Sequence, residues 1–258
     1  MPKDKTSLIH FFRLSLTLAV FDIRGRYRRS VIGPFWLTIS MGITAACIGL
    51  VFGGIFNTPM EKILPSITAG LIIWTLVAGL LTEGCTSLIE SEGIIKQLNI
   101  PFYVHILRVA FRQLFIFGHN FLILPIVLLF FGHNLSLISL LSIFGLALAI
   151  FFLSSVAMFF AIFSARYRDL PQVLSSVLQI AFYLTPIIWL PSMMPNRTGI
   201  EILNLNPFYH LVELIRAPLL GNFPTATSII IISILSIISW SITIAFFINY
   251  KRRLAYWL

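Results

Sequence analysis

LSLISLLSIFGLALAIFFLSSVAMFFAIFS, residues 135–164, contains no Asp, Glu, Lys, Arg or His and is followed at once by Ala165-Arg166-Tyr167-Arg168-Asp169. A helix needs about 20 predominantly apolar residues to cross the roughly 30 Å hydrocarbon layer of a bilayer. The run exceeds that length, so it reads as a transmembrane helix whose end is marked by the arginines behind it. Runs of the same kind occupy 31–56, 63–88, 105–131, 171–194 and 225–249, giving six expected spans in an all-α membrane protein. Composition agrees. Hydrophobic residues make up 58% of the 258, charged residues 10%, and the mean hydropathy is +0.96, whereas a soluble domain is roughly a quarter charged. Six spans with short connections fill residues 1–258 as one membrane domain, which excludes a soluble enzyme.

The third run is the least clean, because Arg108 and Arg112 sit in its first turns and leave Gln113–Phe131 as its apolar part. These arginines are expected to snorkel to the membrane interface. Before the first span, Thr6, His10, Arg13, Thr17 and Arg24 fall along one helical stripe. Residues 6–30 therefore read as an N-terminal amphipathic interface helix. A signal peptide competes for this segment, but no small-residue cleavage site follows and Asp22 to Arg29 are strongly charged. Between the last two spans, Glu201, Asn204, Asn206, Glu213 and Arg216 interrupt the apolar residues of 195–222. That segment is too short and polar to cross, and is expected to form one or two re-entrant or interfacial helices that Pro207 and Pro218 start or break.

The net charge of +9 is spread between apolar runs, not on one polar face, so it speaks of topology and not of nucleic acid. With the N-terminus inside, Lys3, Lys5, Arg13, Arg24, Arg26, Arg28, Arg29, Lys96, Arg108, Arg112, Arg166, Arg168, Lys251, Arg252 and Arg253 are cytoplasmic, against Lys62, Arg197 and Arg216 outside. The positive-inside rule then puts both termini in the cytoplasm, with short external turns at 57–62 and 132–134. No G-x-x-x-x-G-K-[ST] loop is present, so the chain cannot hydrolyse ATP by that mechanism and any energy must come from elsewhere. His10, His105, His119, His133 and His210 have no metal-ligand spacing, and Cys47 and Cys85 read as free thiols; no metal or cofactor is expected on this chain.

Four features offer chemistry. Arg24, Arg26, Arg28 and Arg29 either grip a phosphate-bearing headgroup or simply orient the first span on anionic lipid. The connector 90–104, with Glu90, Glu92, Gly93 and Lys96 and the expected exposed apolar groups Ile94, Ile95 and Leu98 before Pro101, is either a docking surface for a protein partner or an ordinary amphipathic link. Phe35, Trp36, Trp74, Tyr183 and Trp189, near the helix-kinking Pro186, Pro191 and Pro195, suit stacking on sugar rings or plain interfacial packing. Glu83 lies inside an apolar run and reads as the partner of a cytoplasmic-side arginine. An ion-coupled lipid flippase or secondary transporter would need midplane ionisable groups, for which Glu83 and His119 are the candidates, and no internal repeat supports it. A membrane glycosyltransferase or acyltransferase would need acidic or histidine motifs at the membrane face, where Asp22 and Asp169 lie isolated among arginines.

Four segments in order carry a resemblance: Arg26-Tyr27-Arg28-Arg29-Ser30-Val31-Ile32-Gly33-Pro34-Phe35-Trp36, then Lys96-Gln97-Leu98-Asn99-Ile100-Pro101, then Ala165-Arg166-Tyr167-Arg168-Asp169, then Asn206-Pro207-Phe208-Tyr209-His210 leading to Arg216-Ala217-Pro218-Leu219-Leu220-Gly221. Together they resemble the permease subunit of ABC-2 type exporters of cell-surface polysaccharides, with Ile32 standing where leucine is more usual. The resemblance implies a homodimer in the bacterial inner membrane, bound to two copies of a separate ATPase that holds ATP and Mg. It implies a cargo of O-antigen or capsule glycan on a polyprenyl pyrophosphate. It makes 90–104 a coupling helix for the ATPase and assigns Arg28 and Arg29, with Arg24 and Arg26, to the headgroup. Phe35, Trp36, Tyr183 and Trp189 become the glycan path, and Asn206, Pro207, Tyr209 and Arg216 an external gate.

Overall fold

Helix α3, Met60–Glu90, is the axis of the molecule: in its most apolar stretch 78% of the residues are buried, against 17% in α2, Phe35–Ile55, and in the last helix. The computed structural model describes residues 6–98, 100–132, 136–193, 201 and 203–258. Lys3, Lys5, Asn99, His133, Asn134, Arg197 and the start of the 195–222 segment lie outside the described residues. The remaining helices are α1 (Thr6–Tyr27), α4 (Glu92–Gln97), α5 (Tyr103–Phe121), α6 (Ile123–Phe130), α7 (Leu141–Arg166), α8 (Leu170–Leu184), α9 (Pro207–Leu219) and α10 (Ala226–Trp257). No strand occurs among the described residues, and the fold is an all-α membrane bundle.

Helices in lipid gain little from excluding one another's apolar surface from water, so close backbone approach at small residues carries the packing. A Cβ at Gly84 of α3 would sit 2.6 Å from the Ala157 methyl of α7, and one at Gly145 of α7 would sit 2.5 Å from the Leu214 carbonyl oxygen of α9. Both glycines are places where only a missing side chain lets two helices meet. Helix α3 packs in this way against α2, α5, α7, α8 and α9, while α10 lies against α7 and α9.

Among the described residues, five helical stretches are long and apolar enough to cross a membrane: Phe35–Ile55, Met60–Glu90, Tyr103–Phe130, Leu137–Arg166 and Ala226–Leu254. The third is interrupted at Leu122, between α5 and α6, where Pro125 has no N–H to give to the Phe121 carbonyl. The run 171–194, expected as a span, is helical only in α8, 15 residues or about 22 Å at ~1.5 Å per residue. Pro186 explains the stop: Thr185 is already extended, and the chain runs on without α-helix to a 3₁₀ turn at Pro191–Met193. The last helix instead outruns the expected 225–249 and carries Lys251, Arg252 and Arg253 on continuous helix to Trp257.

One end of the bundle gathers the close of α1, the α3–α4–α5 hairpin, the α7–α8 loop and the close of α10. Nearly all the described cations sit there, so it is termed the basic end. Helix α1 docks on α5 through buried Ser15 and Ala19 and through an edge-to-face pair of Phe12 and Phe111 at 4.9 Å, leaving Ile9, Leu16 and Phe21 exposed. In the turn from α1 to α2, Gly33 takes φ +62, a conformation open to glycine, and its N–H bonds Ser30 Oγ at 3.0 Å.

Candidate coupling and substrate surfaces

Two carboxylates and three arginines meet where α1, α3 and α5 join. Asp22 of α1 accepts from Arg108 Nε and Arg112 Nη1, each at 2.7 Å. Glu83 of α3 accepts from Arg112 Nε at 2.8 Å, Gln113 Nε2 at 2.7 Å and Arg26 Nη2 at 3.1 Å. Arg112 is the bridge, with its side chain 8% exposed. The expected pairing of Glu83 with an arginine is therefore present, but Arg108 and Arg112 do not snorkel. They turn inward, because a carboxylate within reach offsets the desolvation that snorkelling avoids. Asp22, read as isolated, is a hub. Burial alone pushes its carboxyl upward, but the hydrogen bond and charge of Arg108, joined by Arg112, outweigh burial and hold it below the usual carboxylate range.

The four headgroup candidates divide. Arg24, Arg28 and Arg29 are exposed at the close of α1 and the turn after it, whereas Arg26 commits one Nη to Glu83. Phe35 and Trp36 open α2, each 56% exposed, and Phe35 meets the His119 ring edge-on at 5.9 Å beside a cavity of about 240 Å³. Tyr183 and Trp189 lie together at the far end of α8, where the indole N–H reaches the Tyr183 carbonyl at 3.4 Å. The four path residues thus form two separate pairs, one where α2 opens and one where α8 closes. Trp74 does not join them: it is buried between the rings of Phe182 and Phe208 at 5.8 and 5.5 Å.

Helix α4 closes the hairpin between α3 and α5. Lys96 bonds Glu92 at 2.6 Å across one turn, and Thr86 bonds Glu90 at 2.6 Å. The hydrogen bond and charge of Lys96, and farther off Arg168, hold the Glu92 carboxyl below its usual range. Gly93 faces open space and Leu98 is 55% exposed. Ile94 and Ile95, expected to be exposed, are half-buried, and Ile95 packs on the core because the hairpin folds it back under α3. Sequence reading missed a third contributor to this surface. Arg168 donates to the Trp257 carbonyl at 3.3 Å, and the Arg166 guanidinium lies 5.3 Å from the Trp257 ring, so the close of α10 is fastened to the α7–α8 loop. The signal was a tryptophan behind three cations at the end of a long helix.

At the opposite end, α9 repairs what the stop of α8 leaves open. Asn206 caps α9 by accepting from Phe208 N at 2.9 Å and gives its amide N–H to Thr185 Oγ1 at 3.0 Å. Arg216, 4% exposed, donates from Nη1 to the Pro186 carbonyl at 2.6 Å and from Nη2 to Glu213 at 2.9 Å. Pro207 is exposed and Tyr209 half-buried. Buried His210 lies between the Asn204 carbonyl and Ser228 Oγ, each at 2.9 Å, and ties α9 to α10.

The sequence model of the ABC-2 type transporter family matches residues 14–220. Two O-antigen export system permease proteins of Klebsiella pneumoniae, both called RfbA, are similar to this chain. One is 26% identical over 262 residues, 98% of each chain, and the other 24% identical over 215 residues, 81% of each. The family match opens inside α1 and closes just past α9, so it takes in the charged junction, the α4 hairpin and the Arg216 site, and the chain belongs to the ABC-2 type transporter family.

Proposed function

We propose that this chain is the permease subunit of an exporter that carries a polyprenyl-pyrophosphate-linked cell-surface polysaccharide, O-antigen or capsule, across the bacterial cytoplasmic membrane. The observation that carries this reading is the likeness to an O-antigen export permease along 98% of both chains. The chain acts as a homodimer with two copies of a separate ATPase, which holds the ATP and Mg. The positive-inside rule turns the basic end, and with it both termini, toward the cytoplasm.

Arg28 and Arg29, with Arg24 and the free side of Arg26, receive the pyrophosphate through charge-assisted hydrogen bonds. Phe35 and Trp36, and apart from them Tyr183 and Trp189, line the glycan path, since aromatic faces hold sugar rings without fixing them. The ATPase docks on α4 through Glu90, Glu92, Gly93, Lys96 and Leu98, with Ile94 and Ile95 bracing the helix from beneath. A push on α4 reaches both helices it connects, and Arg112 passes it from α5 to α1 through Asp22. Asn206, Pro207, Tyr209 and Arg216 form the external gate, where Arg216 holds the irregular backbone after α8. Ion coupling through Glu83 is disfavoured, because Glu83 already accepts from Arg26, Arg112 and Gln113.

The test is purification of the tagged chain from its native membrane, with partner identification, ATPase assay and surface glycan staining, on wild type and Gly93→Arg. A Cβ at Gly93 meets nothing within 4 Å, so the variant fits the fold while placing a bulky charge on the docking face. Retention of a nucleotide-binding subunit by wild type, its loss in the variant and loss of surface glycan support the reading. Purification of an intact chain with no ATPase, and unchanged glycan on deletion, sink it.

A further inference from the structure

We infer that the groove between α5, α7 and α10 holds one acyl chain of a resident anionic glycerophospholipid whose phosphate rests at Lys251. The groove measures about 640 Å³, within the ~300–1,000 Å³ of built small-molecule sites. Leu107 of α5, Phe151 and Met158 of α7, and Trp240 and Phe247 of α10 form its walls, with Tyr103 at its mouth. Of its few polar side chains, Trp240 and Thr243 are already engaged. The Trp240 indole N–H donates to the Phe151 carbonyl at 3.0 Å, and the Thr243 hydroxyl donates to the Ser155 carbonyl at 3.1 Å. A site this poor in free polar groups suits hydrocarbon.

Length and place select the occupant. Along α7 the lining runs from Ala147 to Met158, about 16 Å at ~1.5 Å per residue, or about half of the ~30 Å hydrocarbon layer. That is the reach of one acyl chain. Tyr103 opens α5, and the Phe247 ring lies 6.0 Å from that of Phe102, so the mouth is at the basic end. There the Tyr103 ring meets Phe11 of the amphipathic helix α1 at 6.2 Å. Thr243, Phe247 and Lys251 follow one another at four-residue spacing, which puts the lysine on the groove's face of α10 one turn beyond it. Lys251 and Arg252 are exposed and α10 carries no Asp or Glu, so the headgroup that fits is an anion. None of Phe35, Trp36, Tyr183 or Trp189 lines the groove, which separates this lipid from the proposed cargo.

Trp240 reports occupancy directly. The full-length chain is reconstituted in vesicles of equal parts phosphatidylcholine and phosphatidylglycerol, with bromine on the acyl chains of one lipid or the other. Quenching of Trp240 is read as wild type minus Trp240→Phe. The site requires brominated phosphatidylglycerol to associate about fivefold more strongly than brominated phosphatidylcholine, the weight of one basic residue at the surface, and Lys251→Gln to remove the difference. Equal quenching by both lipids in wild type means that bulk lipid merely wets the groove, and overturns the site. Quenching by neither means that protein, such as a second copy of this chain, covers the face, and overturns it too. A preference that survives Lys251→Gln overturns the assignment of the phosphate to Lys251.

Discussion

Arg216 of α9 gives one guanidinium nitrogen to the carbonyl of Pro186, thirty residues earlier, at 2.6 Å. The bond closes a gap of proline's own making, since Pro186 stops α8 and leaves its carbonyl without a helical donor. Arg216→Ala strands that buried acceptor together with Glu213, and the expected cost is about 3 kcal/mol. Thermal unfolding of the purified chain in detergent measures it; an unchanged midpoint would refute the bond's structural role.

Asp22 gives a pH prediction. Its carboxyl lies below the ordinary value of 3.8 when folded, so the native state binds fewer protons than the unfolded chain in that region. The stabilisation from its arginines is complete above the unfolded value and disappears as pH falls through the lower, folded one. Wild type should lose its margin over Asp22→Asn on acidification below about pH 4. Parallel unfolding curves for the two proteins through that window would contradict this.

A double-mutant cycle tests the junction's cohesion. Asp22→Asn and Arg108→Gln should couple by about 1–3 kcal/mol, because the two groups share a bidentate contact and Arg112 couples both to Glu83. Strict additivity would reduce the cluster to unrelated surface charges.

Leu98 and Ile95 separate docking from folding. Leu98→Asp should leave stability within about 0.5 kcal/mol and weaken retention of the ATPase, since Leu98 is exposed directly after α4. Ile95→Asp buries a charge against the core and should lower the unfolding temperature before any docking is measured. If both variants behave alike in the two assays, α4 does not present the faces described.

Trp257→Ala removes the ring beneath Arg166, a contact of about 1 kcal/mol. Amide exchange should quicken over 252–258 and stay unchanged in the middle of α7. Uniform exchange across both segments would mean that the close of α10 is held by something other than Arg166.

Apolar run length was enough to locate α2, α3, α7 and α10, because lipid demands unbroken hydrophobicity and these helices supply it. It failed at Pro186, where hydropathy stays high while the backbone loses its donor, so composition and covalent geometry point in different directions. The polar interruptions Asn206 and Arg216 were legible as the mark of a segment that does not cross, since neither belongs at an apolar position without a partner. Ile95 was misjudged because a six-residue helix has too few turns to show which face is inward. Arg108 and Arg112 were each read alone, and the snorkelling expectation holds only when no carboxylate is near. Asp22 lies 86 and 90 residues from them, a separation over which side-chain spacing carries no information.

That same separation sets a timetable for synthesis. At about 5–20 residues per second, Asp22 leaves the ribosome roughly 5–20 s before Arg108 and Arg112 exist to receive it. Throughout that interval α1 has no partner for its carboxylate and must wait in the headgroup layer while α2 and α3 are inserted. The polar stripe that keeps α1 at the surface is thus a requirement of assembly, and a chain stalled before Arg108 would present an N-terminal helix open to protease that the finished molecule protects.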